Sequence, residues 1–81
     1  MNVTLLFFAR AREVAGRSEA RLELSAGATI DDALAAATDA WPALGEVLPS
    51  CRTALDEEFA RGDAALTDGS VVAVLPPVSG G

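Results

Sequence analysis

The sequence predicts an α+β domain: a mixed sheet packed on one main helix, with a protruding C-terminal tail. Three segments carry that expectation. The chain opens on a strand-like apolar run from Val3 to Ala9. It contains one long helical pattern, with Ile30, Ala33, Leu34, Ala37 and Trp41 falling on a single face. It closes on Val71 to Leu75, apolar at every position. Strands that are apolar on both faces sit centrally in sheets. The first and last strands are therefore expected to be neighbours, and parallel.

The elements follow in order. After the first strand, Arg10 to Gly16 reads as a connector with a short helical turn that Gly16 ends. Ala20 to Leu24 alternates, with Leu22 and Leu24 on one side and Arg21 and Glu23 on the other. That pattern fits a half-buried edge strand, antiparallel to the first. Ser25-Ala26-Gly27-Ala28 is a turn. Thr29 then caps the helix, with Asp32 at the capping-box position and Asp31 favouring the positive helix end. Pro42 disfavours continuation through Trp41. Ala43 to Leu48 adds a helical turn before Pro49. Arg52 to Ala60 reads as two short strands around the acidic turn Asp56-Glu57-Glu58. Thr67-Asp68-Gly69 turns the chain into the last strand.

At 81 residues this is one domain, 51% hydrophobic and 22% charged, which is globular rather than disordered. A chain this short buries only about 60–65% of its unfolded surface, so its core is small. Net charge is −6, which argues against nucleic acid as a partner. Arg10, Arg12, Arg17 and Arg21 make one end locally basic, but Glu13, Glu19 and Glu23 sit among them. No apolar run approaches a membrane span. The N-terminus lacks a charged n-region and a cleavage site. Both observations point to the cytoplasm.

The chain has no His, no Lys and no Tyr, and one Cys. A His/Cys metal site and a Ser-His or Cys-His nucleophile pair cannot be assembled from it. Cys51 has no partner for an internal disulfide and reads as a small, half-buried hydrophobe. Only the N-terminal amine is open to amide-linked modification.

The C-terminus is the distinctive chemistry. Pro76-Pro77 fixes φ and lacks the N–H that a sheet needs, so the strand should end at Leu75. The domain is then residues 1–75 and the tail residues 76–81. Val78-Ser79-Gly80-Gly81 extends roughly 13 Å, at about 3.3 Å per residue. Glycine has no Cβ, so Gly80-Gly81 can thread a narrow channel in another protein. The reactive group it presents is a terminal carboxylate.

One helix covers one sheet face. Val3, Leu5 and Phe7 should face it, while Thr4, Leu6 and Phe8 face away. Leu6 and Phe8 then form an apolar patch beside Val71, Ala73 or Leu75, and such a patch on a small domain predicts a partner.

Leu6-Phe7-Phe8-Ala9-Arg10-Ala11-Arg12-Glu13 with Gly16, Leu66-Thr67-Asp68-Gly69, and Pro76-Pro77-Val78-Ser79-Gly80-Gly81 together resemble the small subunits of molybdopterin synthases, a ubiquitin-like sulfur-carrier family. The resemblance spans the chain in order. Its specific part is the block from the last strand to the tail. Two positions depart from the family's habit: Val74-Leu75 stands where aromatics often precede Pro-Pro, and Asp56-Glu57 where Asn with Glu or Gln is common. The resemblance implies a ubiquitin-like β-grasp fold. It implies that a ubiquitin-activating-like adenylyltransferase uses ATP to adenylate Gly81, and that sulfur transfer yields a thiocarboxylate. It further implies a heterotetramer of two small and two large subunits. There the tail would deliver sulfur to cyclic pyranopterin monophosphate, with catalytic lysines on the large subunit. No cofactor is expected on the chain itself. Partner-binding residues implied are Leu6, Phe8, Arg12, Leu75, Pro76, Pro77, Val78 and Ser79, beside the reactive Gly80-Gly81. Three alternatives remain open. They are a related carrier for thiamine or cysteine synthesis, a protein modifier joined through Gly81, and a binding module with an inert tail.

Overall fold

A computed structural model describes residues 1–77; Val78, Ser79, Gly80 and Gly81, expected to be the reactive end of the tail, lie outside the described residues. Five strands form one mixed sheet in the order β2-β1-β5-β3-β4. They are β1 (Asn2–Phe7), β2 (Glu19–Glu23), β3 (Arg52–Leu55), β4 (Glu58–Phe59) and β5 (Val71–Leu75). β1 and β5 are parallel and central, as expected, with Leu6 beside Ala73 and Phe7 beside Val74. β2 pairs antiparallel with β1, and β3 pairs antiparallel with both β5 and β4.

The main helix α2 (Ile30–Ala40) starts at the predicted capping box. The Asp32 N–H donates to Thr29 Oγ1 at 3.3 Å, and the Thr29 N–H donates to Asp32 Oδ2 at 2.9 Å. Its Ile30, Ala33 and Ala37 are buried against Val3, Leu5 and Phe7 of β1 and Val72 and Val74 of β5. Alanines at these positions let helix and sheet approach closely. Phe7 meets Trp41 edge-on, ring centroids 6.0 Å apart, a geometry that the ring quadrupoles favour.

Four local features differ from the sequence expectation. β1 stops at Phe7 rather than Ala9, because Phe8, though still extended, is the N-cap of the helix that follows and Ala9 takes φ +50. The connector is a two-turn helix, α1 (Ala9–Ala15), which buries Ala11 and Ala15 and closes on left-handed Gly16 at φ +70. The edge strand is one residue earlier, at Glu19–Glu23. The turn before Pro49 is a short helix α3 (Leu44–Val47) continued by a 3₁₀ turn, Leu48–Ser50, that admits Pro49 in its first turn. The acidic segment does fold as two strands about a turn. Asp56 and Glu57 form its two-residue loop with φ +48 and +74, the signs a type I′ hairpin turn requires.

Candidate functional site: two clefts at the root of the tail

The helix covers one face of the sheet and leaves the other open. Leu6, Ala73, Ala54 and Phe59 are direct cross-strand partners, so they form one row across that open face. Ala73 and Ala54 make its low floor. Leu6 and Phe59 stand at its ends. The next row brings Leu75 beside Arg52, with Phe8 just past the end of β1. The result is an apolar groove of about 490 Å³ walled by Leu6, Phe8, Phe59 and Leu75. Phe8 is 44% exposed and Phe59 65% exposed. Leaving two aromatic rings in water on so small a domain is costly unless something covers them.

The acidic rim of the groove is fixed by the hairpin loop. Asp56 extends the ladder between β3 and β5, its N–H donating to the Val71 carbonyl at 2.9 Å. Its carboxylate Oδ1 accepts from the Val71 N–H at 3.0 Å. Glu57 lines the same edge. At the tail end, the Arg52 guanidinium stacks 4.1 Å above the centroid of the Phe59 ring, which holds that exposed ring in place.

Phe8 also walls a second cleft. This one, of about 590 Å³, lies between α1, α3 and the 3₁₀ turn, and includes Arg10, Val14, Val47, Cys51, Pro76 and Pro77. The tail therefore leaves the domain between two clefts, with Phe8 as the ridge separating them. Burial pushes the Cys51 thiol pKa up, and its S–H donates to the Val47 carbonyl at 3.3 Å.

Leu6, Phe8 and Leu75 share the open groove, and Pro76 and Pro77 continue from it as exposed residues. Arg12 does not join them; it is exposed on α1 beside Glu13 and Arg17. Val78 to Gly81 lie outside the described residues. Sequence reasoning missed Phe59, Arg52 and the Asp56-Glu57 rim. The signal was present: a two-residue loop at Asp56-Glu57 pairs Ala54 with Phe59 and so puts that ring on the open face. Among the described residues, no group of three or more His, Cys, Asp or Glu side chains is placed to hold a metal ion. No described helix is long and apolar enough to cross a membrane.

A mixed sheet holding one capped helix on a single face, with an apolar patch at the root of a C-terminal tail, defines a ubiquitin-like β-grasp protein. The chain belongs to the ThiS family, whose profile matches residues 5–81. It is 46% identical to the molybdopterin synthase sulfur carrier subunit of Chlamydomonas reinhardtii, with both chains covered completely. Among solved structures it is similar to SAMP1 from Haloferax volcanii, at 32% identity and TM-score 0.89, again with both chains fully covered. It is also similar to a chain of the complex of subunits 1 and 2 of the molybdopterin-converting factor from Helicobacter pylori, at 27% identity, TM-score 0.71 and full coverage of both chains.

Proposed function

We propose that this chain is the sulfur carrier subunit of a molybdopterin synthase. In this reading an ATP-dependent, ubiquitin-activating-like enzyme adenylates the Gly81 carboxylate, and sulfur transfer converts the acyl-adenylate to a thiocarboxylate. The tail then enters the large subunit and delivers sulfur to cyclic pyranopterin monophosphate. The observation that carries the reading is the exposed apolar groove at the tail root, in a chain similar over its whole length to a curated carrier of this kind.

The chemistry fits the residues. A free carboxylate is a poor electrophile, and adenylation supplies a leaving group. General acid–base steps need a positioned titratable group. With no His or Lys in the chain, this reading assigns that group to the partner. This chain docks through Leu6, Phe8, Phe59 and Leu75, and presents a thin Gly-Gly end that a narrow channel can admit. One carrier brings one sulfur, and a dithiolene needs two. A heterotetramer with two carriers satisfies that count.

A second reading is a protein modifier, favoured by the likeness to SAMP1, which is named a small archaeal modifier protein. Reconstitution separates the two. The thiocarboxylated chain, mixed with the large subunit and cyclic pyranopterin monophosphate, should yield molybdopterin. Deleting Gly81 should abolish the product while leaving the fold intact. Undiminished product from the truncated chain would overturn the mechanism, and conjugates on lysines of other proteins would favour the modifier.

A further inference from the structure

The apolar groove on the open face carries opposite charges at its two ends. Asp56 and Glu57 are the charged residues of its lining, and they stand where β5 begins. At the other end Arg52 lies opposite Leu75 in the β3–β5 register, its guanidinium stacked on Phe59. Arg61 shares with Arg52 a depression of about 380 Å³ beside that ring. Val71 and Leu75 are four residues apart, so about 13 Å separates the acidic end from the cationic one. Leu6, Ala73, Ala54 and Phe59 form the uncharged row between them. Glu19 and Arg21 of β2 lie beyond Leu6 and Thr4, outside the lining of the groove.

We propose that this polarity selects the partner and fixes its orientation. The groove takes an apolar ridge on the large synthase subunit that carries a Lys or Arg at the end nearer Val71 and an Asp or Glu at the end nearer Leu75. This rests on the reading above that the chain is a synthase carrier. A floor of two alanines accepts an apolar ridge in either direction. The charges do not: a reversed ridge brings its cation to Arg52 and Arg61 and its carboxylate to Asp56 and Glu57, and both juxtapositions are repulsive. Orientation matters because β5 ends at Leu75 and the tail departs from that end alone.

The two ends are built for these counter-charges. A guanidinium stacked by its face keeps its N–H donors around its rim, in a fork that fits a carboxylate. The Phe59 ring restricts the Arg52 side chain beforehand, so less freedom is lost when a carboxylate binds. Arginine is also among the residues that carry most of the energy in protein interfaces. At the acidic end, Asp56 accepts from the Val71 N–H at 3.0 Å. A carboxylate has about four lone-pair sites, so that bond positions the group without saturating it.

The test measures association of the full-length chain with the large subunit, by stopped flow and calorimetry, at low and high ionic strength. The double variant Asp56→Asn with Glu57→Gln keeps the shape of both side chains and the acceptor for Val71, so its urea midpoint should hold. Its association rate at low salt should fall at least about tenfold, with a flatter salt dependence than wild type. Arg52→Gln should behave likewise. Arg52→Lys should restore the salt dependence but not the full affinity, because an ammonium lacks the fork. Leu6→Ala removes apolar area and no charge, so it should weaken the complex at the wild-type salt dependence. A fourfold variant, Arg52→Glu, Arg61→Glu, Asp56→Lys and Glu57→Lys, exchanges the ends and keeps the net charge at −6. It should lose at least about 100-fold in affinity. Wild-type affinity in the folded exchanged variant would overturn the proposal. So would wild-type association and salt dependence in the neutral double variant, which decides the matter if the exchanged variant fails to fold. A complex indifferent to the end charges overturns this proposal alone. No complex between the wild-type chain and the large subunit overturns it together with the carrier reading.

Discussion

Replacing Phe8 by alanine should separate docking from folding. The ring is 44% exposed. A phenylalanine side chain offers about 200 Å², so roughly 90 Å² of it remains for a partner to cover. At about 25 cal/mol per Å² that area contributes about 2 kcal/mol to association, or roughly 30-fold in Kd. The buried part of the ring contributes about half of a full burial, so truncation should cost about 1 kcal/mol of stability. Two assays read the two numbers: urea unfolding followed by Trp41 fluorescence, and calorimetric titration with the large synthase subunit. Phe59→Ala is the companion variant. Its ring is more exposed, so it should cost less stability and at least as much affinity. A complex whose Kd stays within about threefold of wild type would refute the groove as the docking surface. A stability loss above about 3 kcal/mol would show that Phe8 belongs to the core.

Two further outcomes follow from the hairpin loop and from Cys51. Glu57 holds φ +74, a left-handed geometry that glycine adopts without a Cβ clash. Glu57→Gly should raise stability by about 0.5–1 kcal/mol net of glycine's larger unfolded-state entropy, read as a higher urea midpoint at unchanged slope. A lower midpoint would contradict the loop assignment. Desolvation raises the Cys51 pKa above the ordinary thiol value of 9.0. Its stability contribution is therefore complete below the unfolded thiol's pKa and is lost as pH rises towards the folded value. Alkylation of the native protein at pH 8.5 should be slower than that of the urea-unfolded chain, and equal rates would contradict the burial.

Much of this molecule is legible in its sequence because simple patterns carry it. Thr4, in line with Leu6 and Phe8 and opposite the wholly apolar Val3, Leu5 and Phe7, tells which face of β1 the helix covers. Thr29 and Asp32 mark where that helix begins. Pro76 ends β5 at Leu75. What escaped notice depends on pairing across distance. Phe59 joins the groove through its register with Ala54, and Arg52 reaches that ring through its place in β3. Both depend on the hairpin loop being two residues long. The start of α1 was not legible because Ala9 takes a left-handed conformation that an alanine does not announce in the sequence. Val71 to Leu75, apolar throughout, in fact buries Val72 and Val74 and leaves Val71, Ala73 and Leu75 half-open. A sheet with one covered face imposes that alternation on any sequence.

The most direct measurement is top-down mass spectrometry of the C-terminus after incubation with the activating enzyme, ATP and a sulfur source. Fragment ions must localise the change, since oxidation of Met1 or Cys51 nearly mimics the exchange of oxygen for sulfur. Sulfur in place of oxygen on Gly81 is the predicted result. An unmodified carboxylate, with the same enzyme charging a control carrier, would contradict it.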